Sequence, residues 1–102
     1  MPVGMLQMMQ GVGRDQYEQV NQALFGQSRP PEDRLPDGLI MHSAGPAEGG
    51  WYVYDVWESR DHFMRFMDGQ LGPAIEQVLG DQPAPAGGEP QFFEIESLAL
   101  RR

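Results

Sequence analysis

The chain has 102 residues, a net charge of −8, seven arginines as its only cationic side chains, and no cysteine or lysine. That excludes disulfides and thiolate metal sites, as well as a lysine Schiff base and a P-loop. The acidic balance argues against nucleic acid and anionic membrane surfaces, which are held by clustered Lys and Arg.

Val3 to Met9 is an apolar run without proline or charge and predicts a first strand. Gly11–Val12–Gly13 breaks it. Arg14 to Phe25 predicts a helix, because Tyr17, Val20 and Leu24 fall on one stripe among polar residues. Gly26 is its stop. Ser28 to Gly38 contains three prolines and five charged residues and predicts a long surface loop, either a cover for a pocket or a simple connection. Leu39 to Ala44 predicts a second strand, Gly45 to Gly50 a turn cluster, and Trp51 to Glu58 a third strand. Ser59 is a good N-cap for a second helix running to about Leu79, with Asp61 in its first turn. Gly72–Pro73 should kink that helix or start a new segment. Asp81 to Pro90 reads as a loop, Gln91 to Leu98 alternates as a last strand, and Arg101–Arg102 form a polar tail.

The order βαββαβ predicts an α+β, ferredoxin-like split-βαβ sandwich, one domain over residues 1–102. In the third strand Trp51, Val53 and Trp57 point one way and Tyr52, Tyr54 and Val56 the other. With both faces apolar, the sheet is expected to pack on a second sheet, most simply that of a second copy. No apolar run approaches the ~18 residues of a membrane span. No charged segment followed by a long apolar run marks a signal peptide. A cytoplasmic, bacterial origin is therefore expected, the latter from Gly, Pro and Arg usage typical of GC-rich genomes.

Asp55 is the informative residue of the third strand. A carboxylate among four large aromatics needs a partner or a purpose, because an unpaired buried charge is costly. If the hairpin has an even loop centred on Glu48–Gly49, His42 lies opposite Asp55 on one face. An odd loop or a bulge would separate them. Facing each other, they form a base with an orienting carboxylate, and Trp51 and Trp57 offer an aromatic wall for a flat ligand. The plainer reading is a structural hydrogen-bonded pair. Tyr17, Met41, Phe63 and Met67 complete the expected substrate-binding set, with ordinary core packing as the alternative for each. His62 is expected as an exposed helix-start residue.

A His-bearing strand, a tight hairpin, the strand end Asp55–Val56–Trp57–Glu58–Ser59 and an aromatic-rich helix resemble the dimeric α+β barrel superfamily. Within it, the small proteins grouped with antibiotic-biosynthesis monooxygenases are the nearest likeness. The resemblance covers Val3 to Leu98 and is sharpest over Gly38 to Phe66. It implies a homodimer with a pocket between sheet and helices. It also implies an activity drawn from a mixed set: cofactor-free oxygenases acting on aromatic polyketides, haem-degrading enzymes, isomerases, and members with no assigned reaction. Fold likeness alone does not choose among these.

No cofactor and no metal are expected. The chain has two histidines and no His-x-x-x-His pair. Haem would need His42 or His62 alone in an apolar pocket. Gly11–Val12–Gly13 lacks the third glycine of a dinucleotide loop. The leading expectation is thus a cofactor-independent monooxygenase, isomerase or cyclase acting on a small apolar, aromatic or polyketide-like molecule. The alternative is a non-catalytic dimeric binding or structural protein. A lesser alternative is a tautomerase using Pro2 as an N-terminal base.

Overall fold

A computed structural model of the chain describes residues 1–80 and 89–101. It contains β1 (Val3–Gln10), α1 (Arg14–Phe25), β2 (Leu39–Ala47), β3 (Gly50–Trp57), α2 (Arg60–Phe66), α3 (Gly72–Leu79) and β4 (Gln91–Glu94). The four strands form one antiparallel sheet in the order β2-β3-β1-β4, the arrangement expected of a split-βαβ sandwich.

The strands depart most from the sequence expectation at the β2–β3 turn and at the end of β4. The β2–β3 turn is only Glu48–Gly49, with Ala47 paired to Gly50, so the small residues of the turn cluster extend the strands. Gly49 takes the left-handed conformation the turn needs (φ 77°). At the other end of the chain, β4 stops at Glu94. Beyond it Leu98 and Leu100 are exposed, so the alternation there has no face to bury. The loop expected over 81–90 lies outside the described residues except for 89–90.

The second helical region is one continuous rod of mixed pitch. Met67–Leu71 between α2 and α3 is a π-helical turn, in which the Gly72 N–H bonds the Met67 carbonyl. Pro73, which cannot donate a backbone hydrogen bond, follows immediately at the start of α3. The proline thus stands at the start of a new α-helical segment, one of the two outcomes the sequence expected.

One face of the sheet packs on the helices. Met5, Trp57 and Phe63 form the buried centre there, with Leu39, Phe66, Met67 and Phe92 against it. Trp57 is fully buried between Phe63 and Phe66, with ring centroids 5.7 and 5.5 Å away. On the opposite face Tyr54 lies over Gly4 and Tyr52 over Gly45, each glycine leaving room for a ring. Met8 and Phe93 also project from that face and are more than 40% exposed.

Candidate active site

The even two-residue hairpin sets the register that places His42 directly opposite Asp55. A bulge does occur in β2, between Leu39 and Met41, but it lies beyond the pair and leaves its register intact. His42 Nδ1 is 2.6 Å from Asp55 Oδ1. The second carboxylate oxygen accepts from Trp57 Nε1 at 3.3 Å. Asp55 is 6% exposed, and both of its oxygens are bonded, which is what a buried carboxylate requires.

The helix α1 adds a third member. The Tyr17 hydroxyl is 2.5 Å from His42 Nε2. The two rings are parallel within 2° and their centroids are 6.1 Å apart, a spacing that puts hydroxyl and imidazole end to end. Burial pushes the Tyr17 phenol above its ordinary value of 10.0; the Asn21 side chain draws it down, the Asp55 charge raises it, and Arg29 lowers it.

This chain of groups forms part of the wall of a cavity of about 330 Å³ between the sheet and the helices. Met5, Gln7 and Met9 of β1 form its floor with Val53 and Trp57 of β3. Val20, Asn21 and Leu24 of α1 form one side, Phe63, Phe66, Leu71 and Ile75 another. Pro30 and Pro36 place the 28–38 loop at the cavity edge, so this connection helps to enclose it. Asn21, 4% exposed, holds that loop by donating to the Ser28 carbonyl at 3.0 Å.

Of the expected site residues, His42, Asp55, Trp57, Tyr17 and Phe63 line the cavity. Three do not. Met41 pairs with Val56 on the face away from the helices, because it alternates with His42. Met67 packs into the core beside it. Trp51 is buried behind Tyr17, ring centroids 5.2 Å apart, with its indole N–H unpartnered among the described residues. Asn21 and Gln7 were not singled out by the sequence. Asn21 had a signal: four residues after Tyr17, it is a polar residue inside the apolar stripe. Pro2 does not line the cavity, and its carbonyl instead accepts from the Ile95 N–H at 3.0 Å.

Separation along the chain hides one potential ligand group. Asp37, Glu58 and His62 bring three donor atoms within 4.8 Å of one another at the surface, and none lines the cavity. His62 is not the exposed residue expected: it is half-buried, its ring lies against Gly38, its Nδ1 is 2.6 Å from Ser59 Oγ, the hydroxyl that caps α2, and its Nε2 is 3.7 Å from Glu58 Oε2.

No family model matches the sequence, and no curated protein matches it. Solved structures do. A protein from Chloroflexus aurantiacus J-10-fl, assigned as an antibiotic biosynthesis monooxygenase, superposes with a TM-score of 0.61 over 99% of this chain and 100% of its own, at 11% identity. The chain has the fold of the antibiotic-biosynthesis monooxygenases. The ActVA-Orf6 monooxygenase of Streptomyces coelicolor, solved in complex with nanaomycin D, gives a TM-score of 0.57 over 99% and 92% of the two chains at 17% identity. SnoaB of Streptomyces nogalater, a cofactor-independent oxygenase, gives 0.54 over 98% and 97% at 18% identity. At such identities the antibiotic-biosynthesis-monooxygenase likeness is one of fold.

Proposed function

We propose that the chain is a cofactor-independent enzyme acting on a small, apolar, aromatic or polyketide-like molecule, with an oxygenase as the leading form. The observation that carries this reading is a mostly apolar cavity whose wall holds a hydrogen-bonded proton acceptor, His42 oriented by Asp55. The oxygenase activities named for SnoaB and ActVA-Orf6, and the small ligand bound by the latter, support the same direction. His42 takes up the proton that a substrate must lose, and the electron-rich substrate anion itself reduces dioxygen. In such a reaction a substrate CH2 carbon becomes a carbonyl, one oxygen atom is incorporated, and the other leaves as water. The same acceptor would serve an isomerase or cyclase.

The active form is proposed to be a homodimer, because the sheet face opposite the cavity carries Tyr52, Tyr54, Met8 and Phe93 with no helix over it among the described residues. One observation favours a second reading, a binding protein without catalysis. His42 and Asp55 already satisfy each other, Tyr17 and Trp57 internally, as a structural network does.

Oxygen uptake with hydroxylated naphthalenes and anthrones tests the enzyme reading. The wild type should consume oxygen, and His42→Ala should lose turnover by about 10²–10⁴-fold with the fold retained. Binding without uptake by the wild type would leave the second reading in place.

A further inference from the structure

We infer that Tyr17, rather than His42, is the group that meets the substrate, and that its hydroxyl reverses its hydrogen-bond direction as a proton passes through it. The inference rests on the enzyme reading of the cavity and adds the path by which the proton reaches His42.

The direction of each bond follows from its partners. Asp55, as a carboxylate, only accepts, and Trp57 Nε1 can only donate to it. The proton of a neutral His42 therefore sits on Nδ1, 2.6 Å from Asp55 Oδ1. Nε2 is then an acceptor, so the Tyr17 hydroxyl 2.5 Å away donates to it. Both imidazole nitrogens are occupied. A ligand proton can reach His42 only by displacing Tyr17 or by passing through it. Tyr17 lines the cavity, and beside the lone pair turned to the Asn21 side chain its oxygen keeps one more with which to accept.

The resting site thus offers the ligand an acceptor, and it selects a molecule with an acidic hydroxyl, a phenol or an enol. In the transfer, the substrate O–H bond breaks and its proton binds the Tyr17 oxygen. The proton already on Tyr17 moves to His42 Nε2. Two protons have each moved one step, for a net transfer of one proton from substrate to His42, and no electron has changed hands. The products are a substrate oxyanion and an imidazolium held by Asp55. Tyr17 is neutral again, but its hydroxyl now donates to the oxyanion and its oxygen accepts from Nε2. The group that accepted from the acid has become a donor to the anion, as stabilisation of developing charge requires. No free tyrosinate forms at any point, in keeping with a buried phenol whose ionisation is disfavoured. The charged groups that bear on Tyr17 are Asp55 from β3 and Arg29 from the 28–38 loop.

The test compares 1-naphthol with 1-methoxynaphthalene, which has a similar shape but no proton to donate. Binding is read by tryptophan quenching, and ionisation of bound naphthol by its absorption band. The wild type should bind naphthol about tenfold tighter than the ether, the worth of one net hydrogen bond. It should also show naphtholate absorption at a pH where free naphthol is protonated. In Tyr17→Phe the preference and the naphtholate band should vanish while the ether binds within about twofold of wild type. A Tyr17→Phe protein that keeps the preference would overturn the inference, because the ligand would then be bonding His42 directly. So would a wild type that binds both ligands equally, though the cavity would stand as an apolar binding site. A wild type that binds neither ligand removes the cavity reading and the inference together. Should Tyr17→Phe not fold, equal binding of the two ligands by the wild type would still overturn the inference.

Discussion

At the scale of single residues, the line Tyr17–His42–Asp55–Trp57 is anchored at Asp55, a carboxylate that can only accept, and at Trp57, whose indole N–H can only donate. Asparagine at position 55 has one accepting oxygen where the carboxylate has two. Either the Trp57 N–H or the His42 Nδ1–H would then face an amide N–H, unless His42 adopts the other tautomer, which reverses its bond with Tyr17 and removes Nε2 as the acceptor. Asp55→Asn should therefore lose roughly 10²–10⁴-fold in turnover. It should also lose about 1–3 kcal/mol of stability for the donor left unpaired. Oxygen-uptake rates and thermal melts read the two effects separately, and a variant with wild-type turnover would remove His42 from the chemistry.

Tyr17 also predicts a pH dependence. Its phenol ionises above 10.0 in the folded chain, because burial disfavours the anion. Where the unfolded phenol begins to lose its proton and the folded one has not, the native state binds more protons. Stability then falls as pH rises. The contribution is complete below the unfolded value of 10.0 and is lost as pH rises through the folded value. The melting temperature of the wild type should drop more steeply than that of Tyr17→Phe on going from neutral pH to above 10, since Tyr52 and Tyr54 are common to both. Parallel curves would show that Tyr17 carries no linkage.

At the scale of elements, the glycines divide into those that permit a close approach and those that do not. A Cβ at Gly50 would collide with the Met9 carbonyl oxygen, where β3 meets β1. That contact is with backbone and cannot be relieved by a side-chain rotation. Gly50→Ala should cost about 1–3 kcal/mol, or roughly 4–8 °C of melting temperature per kcal/mol in a domain of this size. Gly69, in the π-helical turn, has open space around its Cβ position. Gly69→Ala should leave stability unchanged or raise it by up to about 1 kcal/mol. Calorimetry of the two variants should give opposite signs or a clear gap, and equal losses would contradict the packing described for β1 and β3.

The strands and their facing were legible in the sequence because alternation has a period of two. Whether the turn loop is even, which decides that His42 stands opposite Asp55, was not legible, because the small residues from Gly45 to Gly50 fit loops of either parity; the Ala47–Gly50 pairing settles it. The contacts made by α1 were not legible. A helical stripe says which side of α1 faces the sheet, but the meeting of Tyr17 with Nε2 depends on how far the helix slides along it. Met41 shows the limit within a strand: as an apolar neighbour of His42 it looked like a wall residue, yet a one-residue step puts it on the other face. The π-helical turn left no apolar signature, because a single added residue per turn shifts the stripe by less than its own width.

At the scale of the whole molecule, the proposed dimer brings together two chains that each carry −8. What opposes this repulsion is the outer sheet face, where Met8 is 42% and Phe93 46% exposed beside Tyr52 and Tyr54. Charges repel over about 10 Å at 0.1 M salt and over a far shorter range at 1 M, whereas apolar burial is not screened. Dimerisation should therefore tighten as salt is raised. Met8→Glu with Phe93→Glu should abolish it, by adding charge to the face and removing the two side chains most available to a partner. Both side chains already lie open to water in the single chain, so the variant should remain folded, with helix and strand content unchanged by circular dichroism. Sedimentation velocity across a range of concentrations decides the question. A wild-type chain that stays monomeric at all concentrations and in high salt would leave the tyrosine-paved face without a second copy to cover it. The cavity on the other side of the sheet would then have to do its chemistry within one chain.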